Sequence, residues 1–183
     1  VVRIMMPMIA DIGEPRWAKA IFEEEKTALG VTADVPLGIM IEVPAAVAMA
    51  DRLAKEADFF SIGTNDLTQY VLAMDRGNTE LAPEIDSLHP AVLKTIGDAA
   101  AAGARHACPV GVCGGLASEP PAAPILIGLG VTSLSATRSG IPDLKAFIRT
   151  LDKDTCRAVA EEALSLDSAA EVRAMVARRW PGL

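Results

Sequence analysis

The feature that most restricts how this chain can fold is a unit that recurs along it. A short apolar run is followed, each time, by a longer amphipathic segment. The runs are Arg3–Met8, Leu37–Glu42, Phe59–Ile62, Val110–Cys113 and Thr132–Ala136. They do not alternate apolar with polar residues, which is how parallel strands covered on both faces read. The segments between them carry helix punctuation. Pro15 stands near the start of the first, Trp17, Ile21 and Phe22 share one face, and Gly30 lies past its end. Pro44 opens a helix with Val47, Leu53 and Ala54 facing inward. Pro90 opens one with Val92, Leu93 and Ile96, closed by Gly103, and Pro142 opens one with Leu144, Ile148 and Leu151. Repeated strand-then-helix units imply right-handed crossovers and a parallel sheet, either open or closed into a barrel. A helix pair ends the chain. Ser168 and Glu171 have capping-box spacing at the start of the last helix, which runs to Arg178 and Arg179 before Pro181.

The polar residues separate barrel from open sheet. Glu42 ends the second run, Asn65 and Asp66 follow the third, Cys113 ends the fourth, and Ser135, Thr137 and Arg138 end the fifth. These four strands deliver polar groups at the same end, the pattern of a (βα) barrel whose site lies on its C-terminal face. A nucleotide-binding sheet would instead carry Gly-x-Gly-x-x-Gly after an early strand, and none is present.

Composition removes several function classes. A formal charge of −7, with no Lys/Arg cluster interleaved with aromatics, speaks against nucleic acid as a partner. The 3 cysteines have no zinc-type spacing, which fits a reducing cytoplasm better than a disulfide scaffold. No residue from Pro120 to Thr137 is charged, but Pro121, Pro124, Gly128 and Gly130 interrupt that stretch and argue against membrane insertion. The opening residues lack the ordered regions of a signal peptide and an initiator Met, so a fragment of a longer protein is expected.

The densest chemistry lies in Phe59–Tyr70 and the following Met74–Asn78. Thr64, Asn65 and Asp66 stand where a strand turns into a helix, and Arg76 and Asn78 close the segment. A helix cap accounts for one of the three. Glu42, before Pro44, has a bland reading as a cap worth ~0.3–1 kcal/mol, and Asp66 shares that ambiguity. Taken together, two carboxylates on neighbouring strand ends suit Mg²⁺, which takes one or two carboxylates and fills its other positions with substrate oxygens and water. Arg76 then suits a phosphate, which its planar fork grips through two hydrogen bonds. Cys113, flanked by Gly111, Gly114 and Gly115, is either a reachable acid or a small buried hydrophobe. Cys108 and Cys156 read as core, and His89 and His106 as loop or capping residues.

Gly38–Ala46, Asp58–Tyr70, Asp75–Asn78, Leu88–Leu93 and Gly111–Gly114 resemble, in order, the C-terminal part of Enzyme I. That family is the phosphoenolpyruvate–protein phosphotransferase of the bacterial sugar phosphotransferase system. The resemblance implies an α/β fold, the C-terminal portion of a (βα)₈ barrel of the phosphoenolpyruvate/pyruvate type, with about five of the eight strand–helix units. Residues 1–183 would form one partial phosphoenolpyruvate-binding domain, with the phosphohistidine and HPr-binding domains absent from this chain. The implied reaction moves the phosphoryl group of phosphoenolpyruvate to a histidine on an N-terminal domain and then to HPr, releasing pyruvate. By position, Glu42 and Asp66 match the Mg²⁺ ligands, Asn65, Asp66 and Arg76 the substrate contacts, and Cys113 the acid that protonates C3 of enolpyruvate. A cytoplasmic homodimer is implied too. Gly115 departs from the family, which usually has Glu two positions after the cysteine. Pyruvate phosphate dikinase and phosphoenolpyruvate synthase share this barrel but diverge around Asp75–Asn78 and after Gly114. A truncated, non-catalytic binding module is the alternative from another class.

Overall fold

The computed structural model describes residues 2–183. Strands β1 (Ile4–Met6), β2 (Leu37–Ile41), β3 (Phe60–Gly63), β4 (Val110–Cys113) and β5 (Ser133–Leu134) form one parallel sheet in the order β1-β2-β3-β4-β5. Ile39 pairs with Phe60, and Gly63 with Cys113. The order follows the chain and never reverses. Right-handed crossovers therefore place the intervening helices on one face, whereas a doubly wound sheet reverses its order and covers both. The chain is thus a wall of five strand–helix units of a (βα)₈ barrel.

Burial divides the two faces. Ile39, Ile41, Phe60, Ile62, Val110 and Val112 are at most 2% exposed and pack under the helices. The residues between them turn the other way, because successive side chains of a strand point to opposite faces. That opposite face carries a cleft of about 290 Å³ whose lining includes Arg3, Met5, Ser61, Gly111, Ser133 and Ser135. So β4 does alternate, buried Val110 and Val112 with half-buried Gly111 and Cys113, contrary to the sequence reading. The alternation is masked in the sequence because the strand residues on the cleft face are Gly, Met and Ser rather than charged ones.

The helices are α1 (Gly13–Ala28), α2 (Pro44–Ala48), α3 (Ala50–Leu53), α4 (Thr64–Leu72), α5 (Pro90–Arg105), α6 (Ala123–Gly128), α7 (Ile141–Ile148), α8 (Lys153–Ser165) and α9 (Ala169–Arg179). The Pro44 helix, expected as one, breaks at Met49, whose φ of −103° and ψ of 8° interrupt the helical ladder. Leu53 and Ala54 still face inward, buried under α5, while Val47 is half-buried. α1 differs more. Its Trp17 is 69% exposed and Ile21 also faces solvent, because α1 follows β1 at the sheet edge and has no unit on its outer side among the described residues. α6 and α8 cross so closely that a Cβ on Gly128 would overlap the carbonyl of Cys156. At α9 the Glu171 N–H donates to Ser168 Oγ at 3.2 Å, and Glu171 Oε2 accepts from Asp167 N at 3.0 Å. The reciprocal bond of the box thus lands one residue earlier than the motif requires. The uncharged stretch 120–137 becomes a 3₁₀ turn, α6 and β5. No helix among the described residues is long and apolar enough to cross a membrane.

Candidate functional site

The C-terminal strand ends meet around Gly63. Glu42, immediately after β2, is 4% exposed, and its Oε1 accepts the Met8 N–H at 2.8 Å. Met8 reaches it from beyond β1 with φ of 55°, a left-handed conformation that a non-glycine residue adopts only at a cost. The other oxygen, Oε2, lies 2.8 Å from where a Cβ on Gly63 would be. Gly63 therefore leaves room for the carboxylate. The cap of α2 is Val43, and no side chain bonds there, so Glu42 is not a helix cap. Burying an ionised carboxylate is costly, and one backbone N–H offsets little of that cost.

Thr64, Asn65 and Asp66 do not cap α4 either, since Gly63 occupies the cap position without a side-chain bond. Each has another partner. Thr64 Oγ1, fully buried, donates to the Cys113 carbonyl at 2.9 Å. Asn65 Oδ1 accepts the Gly115 N–H at 3.0 Å. Asp66 Oδ1 faces Arg76 Nη2 at 3.1 Å, and the Arg76 N–H donates to Gln69 Oε1 at 3.1 Å. The expectation that one of the three serves as a cap is thus corrected: two of them fasten α4 to the end of β4, and the third is paired with an arginine.

Cys113 ends β4 half-buried. Ser61 Oγ donates to its sulfur at 3.4 Å, and the thiol donates to the Ile62 carbonyl at 3.4 Å. Gly114, at φ of 90°, lets the chain leave the strand hard against Asn65, whose Oδ1 would lie 3.0 Å from a Cβ there. Gly115 is roomier, with Asn65 Oδ1 at 3.6 Å from the corresponding Cβ. The other thiols are remote from this chemistry. Cys108 is buried, and burial pushes its pKa up to about 11. Cys156 is buried in α8 and burial raises its pKa as well. His89 caps α5, its Nδ1 accepting the Ala91 N–H at 3.1 Å, as expected. His106, at the other end of α5, lies 3.2 Å from Asp51.

Ser61, Thr64 and Met8 support the site without having been singled out for these contacts. Ser61 breaks an apolar strand with a hydroxyl that faces the cleft, and that was a legible signal. The Met8 conformation had none.

Among the described residues, no three of His, Cys, Asp and Glu converge as a metal site. A cation here would have carboxylates from Glu42, beside Gly63, and from Asp66 on the same turn. Glu42 Oε2 takes no protein hydrogen bond among the described residues, and Asp66 is held only by a half-exposed arginine. That donor set fits a hard divalent cation, whose remaining positions would go to substrate oxygens and water.

Residues 1–153 match the model of a family described as PEP-utilising enzyme, PEP-binding domain. The chain is 51% identical over 176 residues to a multiphosphoryl transfer protein of Xanthomonas campestris, covering 96% of this chain and 21% of that protein. It is 43% identical over 183 residues to the phosphoenolpyruvate-protein phosphotransferase of Geobacillus stearothermophilus, covering 97% and 32%. The chain thus spans about a fifth to a third of the length of these curated relatives. Among solved structures, a citrate lyase from Burkholderia xenovorans aligns with a TM-score of 0.65 at 16% identity, over 97% of this chain and 63% of that one. At that identity the likeness speaks for the fold alone.

Proposed function

Because the chain belongs to the family of PEP-utilising enzymes, through their PEP-binding domain, we propose that it is the phosphoenolpyruvate-binding part of a phosphoenolpyruvate–protein phosphotransferase. The observation that carries this reading is the joining of three strand ends. The buried Glu42 carboxylate follows β2, the Asp66–Arg76 pair lies on α4 and the segment after it, beyond β3, and the Cys113 thiol ends β4, to which Thr64 and Asn65 fasten α4.

In this reading Glu42 and Asp66 hold Mg²⁺, which neutralises charge on the phosphate and the leaving oxygen when bound. Arg76 grips the phosphoryl oxygens, and Asn65, already pinned by Gly115, orients the substrate. Phosphoryl transfer rests mainly on such positioning and charge stabilisation. Cys113, hydrogen-bonded between Ser61 and the Ile62 carbonyl, gives its proton to C3 of the departing enolate, which leaves as pyruvate. The acceptor is a histidine on another domain, and HPr is the next carrier. Both histidines of this chain are already engaged, His89 at a helix cap and His106 with Asp51. The parent is proposed to act in the cytoplasm as a homodimer in sugar uptake, as the family resemblance implies. Within this reading the identity of 51% favours a parent of the multiphosphoryl transfer type.

The test is pyruvate release, coupled to lactate dehydrogenase, from the full-length protein given phosphoenolpyruvate, Mg²⁺ and HPr. Mg²⁺-dependent turnover is expected there and none from the 183-residue chain alone. A full-length protein that folds, binds Mg²⁺ and releases no pyruvate defeats the proposal.

A further inference from the structure

Away from the strand ends, α9 sends one side chain to two of the loops that carry the site. Arg173 Nε donates to Asp86 Oδ2 at 2.6 Å and Nη2 to Asp86 Oδ1 at 2.9 Å, a planar fork on one carboxylate. Its remaining nitrogen, Nη1, donates to Glu119 Oε2 at 3.0 Å. Asp86 lies in the segment between α4 and α5, which also carries Arg76. Glu119 lies in the connection from β4 to α6, which begins at Cys113.

The Arg76 segment needs such an anchor. From Gly77 to Glu84 every residue is exposed, so the segment is held at its two ends. One end is the Arg76 pairing with Asp66 and Gln69. At the other, Leu88 is fully buried, Thr68 and Ser87 share a hydrogen bond of 2.8 Å, and Asp86 meets Arg173. A guanidinium bonded through three of its nitrogens also fixes the separation of its two partners, which a lysine ammonium, a point charge on a flexible stem, does not do.

We propose that Arg173 is a positioning residue for phosphoryl transfer, locking the loop that bears the phosphate-gripping Arg76 to the loop that follows the proton-donating Cys113. It touches neither substrate nor metal and acts through Asp86 and Glu119. Displacements on the order of 1 Å of a positioning group cost up to about a hundredfold in rate. The ion pairs themselves are partly exposed, with side-chain exposures of 41% for Arg173, 26% for Asp86 and 38% for Glu119. Their contribution to global stability is therefore small, and the positional effect separates from it.

The inference rests on the function proposed above, and its test is made in the full-length enzyme well below the melting temperature. Arg173→Gln is expected to lower kcat/KM for phosphoenolpyruvate by about fivefold or more, with KM raised and kcat reduced together. Arg173→Lys should recover the melting temperature but not kcat/KM. Glu119→Gln should give a smaller loss, and the double variant should be no worse than Arg173→Gln alone, because both break one unit. Parental kcat and KM in either Arg173 variant, or strictly additive losses in the double variant, overturn the proposal. Should Arg173→Gln not fold, Glu119→Gln decides, since it leaves the fork on Asp86 in place and parental kinetics there overturn the clamp. A parent enzyme without pyruvate release refutes the functional reading and this proposal with it. An active parent with indifferent variants refutes the clamp only.

Discussion

Arg76 Nη2 lies 3.1 Å from Asp66 Oδ1, so the arginine proposed to grip the phosphate rests on the carboxylate proposed to hold the cation. The two roles compete for Asp66 Oδ1 in this geometry. A cation on Asp66 competes with the guanidinium for the same oxygen, and its arrival would release Arg76 toward the phosphate. The pair is easy to break, because its side chains are 52% and 28% exposed and such pairs contribute about 1 kcal/mol or less.

Arg76→Ala should therefore strengthen binding of Mn²⁺ alone, used as a spectroscopic stand-in for Mg²⁺, by about two- to fivefold. The same variant should weaken phosphoenolpyruvate binding in the presence of the metal. Electron paramagnetic resonance titration reads the first effect and calorimetry the second. Unchanged or weaker Mn²⁺ affinity would show that Arg76 does not compete for Asp66.

Glu42 is tested by separating charge from shape. Glu42→Gln keeps an oxygen for the Met8 N–H and removes a buried charge, so thermal stability should hold or rise. Metal affinity should fall by about tenfold or more. Gly63→Ala is expected to act on the same carboxylate by steric means, because its Cβ would lie 2.8 Å from Glu42 Oε2 and 3.0 Å from Met40 Sδ. Overpacking of this kind costs about 1–3 kcal/mol, with metal binding weakened in parallel. A Glu42→Gln protein with full metal affinity would remove Glu42 from the site.

The Arg173 clamp has an acid limit. Burial pushes the Asp86 carboxyl up, but the Arg173 hydrogen bonds and the Leu88 N–H outweigh it and hold the pKa below its ordinary 3.8. A depressed carboxyl stabilises the fold at pH above its unfolded value and loses that contribution as pH falls through the folded one. Asp86→Asn should therefore lower the melting temperature at pH 6–7, by an amount corresponding to about 1 kcal/mol or less. That difference from the parent should vanish as the pH drops below about 3.8. A difference that persists at pH 2 would point to lost packing rather than lost charge.

The fold was legible because its unit repeats. Apolar runs of strand length separated by proline-opened helices leave few topologies, and β2, β3 and β4 appear within a residue of where the runs place them. β5 is shorter than its run, Ser133–Leu134 against Thr132–Ala136, because it pairs only with β4. The candidate site was legible in its residues but not in its bonds. One of Thr64, Asn65 and Asp66 was read as a cap because local sequence offers the cap as the nearest partner. Thr64 and Asn65 instead bond across the sheet to a segment about 50 residues away. Asp86, Glu119 and Arg173 lay beyond reach for the same reason: the partners are 87 and 54 residues from the arginine, and only the fold brings them together.

The three thiols give a test whose first part needs no activity and uses the 183-residue chain itself. The thiolate is the attacking species in alkylation, and access decides which sulfur meets the reagent. Cys108 is 4% exposed with a pKa of about 11, so at pH 8 on the order of one molecule in a thousand carries its thiolate. Cys156 is fully buried and shifted in the same direction. Cys113 is only half-buried and lies beside the cleft residue Ser61, so reagent can reach it. Iodoacetamide followed by peptide mass spectrometry should therefore label Cys113 about tenfold faster or more than either other cysteine. In the full-length enzyme, phosphoenolpyruvate with Mg²⁺ should slow that labelling, and Cys113→Ala should impair pyruvate release far more than ligand binding. The carbon would then lack its proton donor while Glu42, Asp66 and Arg76 still hold the phosphate. Equal labelling of Cys113 and Cys156, indifferent to ligand, together with an active Cys113→Ala enzyme, would make Cys113 a packing residue at the end of β4.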